Sequence, residues 1–176
     1  MLNYKKYIKE VQDFPKEGVS FKDISPLLAD WQTFETAIVQ MGNLYRQRVR
    51  TLGVHAELHV DHWVGIDARG FLFAGALSYA FGGGIVMCRK SGKLPPAVIG
   101  MEYNLEYGKD SLEIKPGKGN VIIVDDVLAT GGTLQTVNQL CKSAGYDVIG
   151  NLVLIDLQYI PRPSFNLEVK SLIQYE

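Results

Sequence analysis

Only two cysteines occur in this chain of 176 residues, Cys88 and Cys141, each set among apolar neighbours. Two thiols make no disulfide framework for a chain of this length, so buried, reduced cysteines and a cytoplasmic protein are expected. Neither charge sign is in excess: 18 Lys and Arg face 19 Asp and Glu, a net charge of -1. That balance excludes a global field for nucleic acid or an anionic membrane, so any anion must be gripped locally. No apolar run approaches the length of a membrane span. The first ten residues, M-L-N-Y-K-K-Y-I-K-E, lack the apolar core of a signal peptide. Internal repeats and low-complexity tracts are missing too, and no stretch reads as a linker.

What is present fits a single domain over 1–176: 47% hydrophobic and 21% charged residues suffice for a sizeable core and a wetted surface. Leu2, Tyr4, Tyr7, Ile8 and Val11 follow a mostly helical spacing, so a helix is expected there. D-F-P-K-E-G-V-S-F-K-D-I-S-P holds two prolines and a glycine and reads as a structured loop. Asp30 stands where it would cap a helix from Trp31 to about Leu52, with Phe34, Ile38, Met41, Leu44 and Tyr45 as its buried stripe. Buried strands are expected at Trp63 to Ile66, Gly84 to Met87, Val121 to Val124 and Val148 to Ile155, and a last one at Ser171 to Ile173. Helices are expected at Gly70 to Ala80 and Thr133 to Ala144, the second with Leu134, Val137, Leu140 and Cys141 on one face and Gly145 as its stop. Ser91 to Lys109 has prolines, glycines and no clear period, and reads as a long loop. Continuous apolar strands alternating with helices imply an α/β fold, a mostly parallel sheet covered on both faces. Ligands bind beyond the carboxyl ends of such strands, which is where Asp67, Asp125 and Asp126 fall.

The stretch V-I-I-V-D-D-V-L-A-T-G-G-T (121–133) joins two opposed chemistries. Gly131 and Gly132 let backbone N–H groups close around an anion, Thr130 and Thr133 add hydroxyls, and the following helix offers its positive end. With no lysine in the loop, the spacing is not that of an ATPase phosphate loop, and a monophosphate held by neutral donors suits it. Asp125 and Asp126 would repel that phosphate. They fit either a sugar's hydroxyls or a nearby divalent cation, and a ribose 5-phosphate supplies both a diol and a phosphate.

Those thirteen residues resemble the signature of the type I phosphoribosyltransferases. F-P-K-E-G-V-S-F-K-D-I-S-P (14–26), G-I-D-A-R-G-F-L-F (65–73), R-K-S-G-K-L-P (89–95) and L-E-Y-G-K (105–109) are similar to the adenine branch of that family, in order and at its usual separations. The resemblance implies a twisted, mostly parallel sheet flanked by helices, with a small N-terminal hood (roughly residues 1–30) and a mobile lid loop (roughly residues 91–109). It implies purine salvage: adenine and 5-phosphoribosyl-1-pyrophosphate give AMP and pyrophosphate, with Mg²⁺ held mainly by substrate oxygens and water. A homodimer is implied as well.

By the same resemblance, Asp125 and Asp126 bind the ribose hydroxyls, and Ala129, Thr130, Gly131, Gly132 and Thr133 bind the 5′-phosphate. Asp67 and Ala68, joined by a strained and often cis peptide, bind pyrophosphate together with Arg89 and Lys90, while Lys93 and Lys109 are weaker candidates. Val19, Ser20, Phe21 and Arg69 form the adenine pocket, Phe21 stacking on the base. Glu106 exchanges a proton with the purine ring, and Tyr107 donates to pyrophosphate. The sequence departs from the family's common pattern at Ser20 and Lys22, where many relatives carry Val and Arg. Other readings concern a donor-binding regulator without turnover, and a metal site in H-A-E-L-H-V-D-H, where His55, His59, Asp61 and His62 cluster. The tail after Asp156 reads as a surface connection to the last strand.

Overall fold

The computed structural model describes residues 2–51, 59–105, 108–162 and 165–176, the side chains of 46–51, 103–105 and 108–110 excepted. Its body is a seven-stranded sheet: β3 (His62–Ile66), β4 (Gly84–Lys90), β5 (Ile99–Leu105), β6 (Gly108–Ile114), β7 (Asn120–Leu128), β8 (Asp147–Leu157) and β9 (Lys170–Tyr175). The strand order is β5-β6-β4-β3-β7-β8-β9. From β4 through β3, β7 and β8 to β9 every pairing is parallel, and β5 and β6 add an antiparallel hairpin at one edge.

The unbroken apolar runs of the parallel strands follow from burial on both faces. Successive side chains on a strand point to opposite sides. Ile122 and Val124 pack with α2 (Trp31–Thr51) and α3 (Gly70–Phe81), against Ala37, Ile38, Met41, Phe73 and Leu77. Val121 and Ile123 face the other way, against Leu134, Val137, Leu140 and Cys141 of α4 (Gly132–Ser143). The expected helical faces are therefore the buried ones. Asp30 caps α2 as anticipated, its Oδ1 accepting the Thr33 N–H at 2.8 Å. Gly145, at φ 98°, ends the last helix.

Three expectations need correction. Leu2 to Val11 is not one helix: a 3₁₀ turn, Tyr4–Tyr7, leads into β1 (Lys9–Val11). Tertiary pairing overrides the local period, because β1 forms a two-stranded antiparallel hood with β2 (Phe21–Asp23) through Lys9↔Asp23 and Val11↔Phe21. The structured loop at 13–26 thus contains β2 and opens α1 (Ser25–Ala29). Nor is Ser91 to Lys109 irregular throughout: β5 and the start of β6 pair in register from Ile99↔Ile114 to Leu105↔Gly108. Of the residues on β5, Ile99 and Met101 are half-buried while Gly100 between them and Glu102 after them are exposed, so the stretch carries only a short alternation.

The sheet's topology makes a crevice. β4 lies on one side of β3 and β7 on the other, the reversal at which α/β sheets bind ligands. The β3–β7 ladder ends at Gly65↔Val124. Asp67 and Asp125 follow at once on the two diverging strands.

Candidate active site

Asp125 and Asp126 still belong to β7, held there by β8 alone through Asp125↔Val153. They stand beside the start of α3, which approaches closely only because residue 70 is glycine. A Cβ there would lie 2.6 Å from the Val124 carbonyl oxygen and 3.3 Å from Asp125 Oδ1. The backbone N–H of Asp126 donates to Asp125 Oδ1 at 2.9 Å. Burial, then the negative charge of Asp126, pushes the Asp125 carboxyl well above the usual carboxylate range. Burial raises Asp126 too, opposed by the Arg69 guanidinium. The pair gains from any ligand that donates hydrogen bonds to it, as a vicinal diol does.

Arg69 links this acidic pair to the hood. Its Nε lies 2.9 Å from Asp126 Oδ2, and its guanidinium sits 5.0 Å from the centre of the Phe21 ring. Phe14 meets Phe21 edge-on, with ring centres 5.1 Å apart. Aromatic, cation and carboxylate thus form one continuous path from hood to sheet. Val19 and Ser20 are half-buried just before Phe21. The two departures at Ser20 and Lys22 touch each other: Lys22 Nζ donates to Ser20 Oγ at 3.2 Å and pairs with Glu10 at 2.9 Å. Lys22 is only 5% exposed, so the serine hydroxyl satisfies an ammonium that a valine would leave one acceptor short.

On the other flank the Asp67–Ala68 peptide is cis, as the resemblance implies. Asp67 accepts from Arg89 Nε at 3.1 Å, and the Asp67 N–H donates to the Cys88 carbonyl at 2.9 Å. Arg89 is half-buried and Lys90 exposed at the end of β4. The following turn hangs from Glu113 on β6, whose Oε1 accepts from the N–H groups of Lys93 at 2.9 Å and Leu94 at 2.6 Å. Those backbone donors, that of Leu94 foremost, hold the Glu113 carboxyl below its ordinary range.

The loop Ala129 to Thr133 runs from β7 into α4. Gly131 precedes the helix at φ 88°, a left-handed conformation that favours glycine, and no side chain caps the helix start. The first-turn N–H groups of α4 therefore lack the side-chain acceptor that a Ser, Thr, Asp or Asn cap supplies. Thr130 is exposed and Thr133 half-buried. Behind the loop stands Arg162. Its Nη2 donates to the carbonyls of Leu128 at 3.1 Å and Leu157 at 2.7 Å and to Asp156 Oδ1 at 2.6 Å, and its Nε donates to the Ala129 carbonyl.

The structure thus brings together Phe21, Arg69, Asp125 and Asp126, and separately Asp67 with Arg89. Glu106 and Tyr107 lie outside the described residues, as does His55. His59 pairs with Asp61 at 3.1 Å. Among the described residues no group of three metal-binding side chains occurs. Sequence reasoning missed Glu113 and Arg162. Neither sits in a motif, and each acts on backbone brought near only by the fold. The tail after Asp156 is accordingly not a mere surface connection.

The phosphoribosyl transferase domain profile matches residues 32–163. This chain belongs to the phosphoribosyl transferase family. It is 43% identical over 176 residues to an adenine phosphoribosyltransferase of Bdellovibrio bacteriovorus, covering 99% of this chain and 100% of that one. Among solved structures it resembles the Thermoanaerobacter pseudethanolicus adenine phosphoribosyltransferase (37% identity, TM-score 0.82, 97% of each chain). It also resembles the Saccharomyces cerevisiae adenine phosphoribosyltransferase complexed with an iminoaltritol bisphosphate and adenine. That match has 32% identity and a TM-score of 0.86, covering 96% of this chain and 95% of that one.

Proposed function

We propose that the chain transfers the 5-phosphoribosyl group of 5-phosphoribosyl-1-pyrophosphate to adenine, giving AMP and pyrophosphate in purine salvage. The observation that carries this reading is the path Phe21–Arg69–Asp126, which joins an aromatic surface for a base to the acids for a sugar. Relatives named adenine phosphoribosyltransferase at 43% and 44% identity support adenine as the base.

In this reading Asp125 and Asp126 accept from the ribose hydroxyls. Ala129, Thr130, Gly131, Gly132 and Thr133 surround the 5′-phosphate. The Asp67–Ala68 turn, with Arg89 and Lys90, meets the pyrophosphate, and adenine lies between Val19, Ser20, Phe21 and Arg69. The purine N9 attacks C1′ while the bond from C1′ to the pyrophosphate oxygen breaks, and the purine's proton passes to a base, for which Glu106 is proposed. Tyr107 would donate to the departing pyrophosphate. Both would be carried by the lid at 91–109, while the hood at 1–30 covers the base. Closure of that lid would exclude water from a cationic sugar centre. Hard carboxylate and phosphate oxygens suit Mg²⁺, which arrives with the substrate and offsets pyrophosphate charge. Two buried thiols, Cys88 raised strongly and Cys141 pushed up to about 12 by burial, support a reducing, cytoplasmic setting. No described helix is long and apolar enough to cross a membrane. A second copy of the chain is the proposed partner.

A panel of bases with the donor and Mg²⁺ tests the assignment. AMP and pyrophosphate should form with adenine, and hypoxanthine, guanine, xanthine and orotate should give at least a hundredfold lower kcat/KM, as expected when buried polar groups are left unpaired. Preference for another base, or donor binding without turnover of any base, overturns it.

A further inference from the structure

We infer that Arg162 is a positioning residue for the 5′-phosphate site, setting the direction in which the loop at 129–133 presents its N–H groups. This rests on the phosphate-loop reading above. A loop that holds an anion with neutral donors depends on how its peptide planes are turned. In a trans peptide the C=O and N–H of one unit point opposite ways. Arg162 takes the carbonyls of Leu128 and Ala129, two consecutive units, on one guanidinium. The N–H groups of those same units, on Ala129 and Thr130, are thereby aimed away from the arginine.

The arginine is itself held in place. It donates to Asp156 Oδ1 at 2.6 Å and to the Leu157 carbonyl at 2.7 Å, and its side chain is 14% exposed. Phe165, which follows in the same segment, packs on Gly131: a Cβ there would come 2.4 Å from its ring. Arg162 and Phe165 therefore back the loop at three points, Leu128, Ala129 and Gly131. Asp156 balances the guanidinium's charge, so the contribution is direction rather than field. A fork with several donors is required, which lysine does not provide.

The test compares AMP with adenosine, which differ by the phosphate, on the full-length protein by calorimetry, with donor KM and kcat measured alongside. Arg162→Lys and Arg162→Met should each weaken AMP about tenfold and raise donor KM similarly, as loss of charge-assisted hydrogen bonds implies, while adenosine affinity and kcat move less than about threefold. A fold-wide defect would shift both ligands together and would not change their ratio. Retention of the wild-type AMP-to-adenosine ratio by folded Arg162→Lys overturns the inference while leaving the loop assignment standing. If the wild-type chain binds AMP no better than adenosine, the loop assignment falls and the inference with it. Should the arginine variants fail to fold, Phe165→Leu serves instead: a drop in the same ratio supports the inference, and an unchanged ratio overturns it.

Discussion

At the scale of single residues, Asp125 shows how a group proposed to bind substrate burdens its own fold. Its carboxyl holds a proton more tightly in the folded chain than in the unfolded one. The ionised form therefore counts against folding: stability is fullest below the ordinary carboxylate range and declines as pH rises through the raised folded value. Asp125→Asn should flatten that decline. We expect its Tm to exceed the wild type's near pH 8, by about 2–4 °C for each kcal/mol recovered in a chain of this size, with the difference closing at acid pH. Donor binding should be lost at the same time. A variant less stable than wild type at pH 8 would contradict the direction. The place of Asp125 at a strand end beside the loop was legible because an acid pair abutting T-G-G-T is a chemical contradiction that a phosphorylated sugar, or a cation, resolves. The bond between Ser20 and Lys22 was not legible, since two departures read separately give no sign that they meet.

At the scale of elements, the sheet and its main helices were readable from periodicity, and their ends were not. Val121 to Val124 was expected as a strand, yet β7 runs on to Leu128 because β8 continues to pair with it after β3 has left. A strand that outlasts one neighbour looks polar and short in sequence, and here that polar end carries the proposed ribose site. The hairpin of β5 and β6 was hidden for a related reason, being joined to β4 only through Arg89↔Glu113 and Lys90↔Leu112. Its link to chemistry is Glu113, which holds the turn after Arg89 by two backbone N–H groups. Glu113→Gln exchanges a carboxylate acceptor for a neutral amide. Donor KM and the inhibition constant of pyrophosphate should rise about three- to tenfold, with adenine KM nearly constant. Equal changes for both substrates in steady-state kinetics would argue against a role confined to the pyrophosphate side.

For the whole molecule, one feature the proposed site leaves unused is apolar surface. Leu72 and Tyr79 on α3 and Ile85 and Met87 on β4 are all exposed, Tyr79 at 95%, and Ile85 lies against Gly75 between the two helical residues. Such contiguous exposure marks a contact surface, and we propose that a second copy of the chain covers it. Sedimentation at micromolar concentration should give a dimer, and Met87→Glu should shift it to monomer without loss of helical signal. A wild-type monomer, or an unaltered dimer in the variant, removes the patch from consideration. The hood has its own distant tie. Lys5 and Lys22 place their ammonium groups 4.6 and 4.5 Å from the Tyr175 ring, on the last strand of the sheet. Synthesis runs in the opposite order to that docking. The segment that would cover the base leaves the ribosome first and meets its anchor only after β9 has emerged. The proposed phosphate loop, with β7 and α4, precedes β9 in the chain, so on the proposed reading the sugar site can assemble before the base-covering hood is anchored.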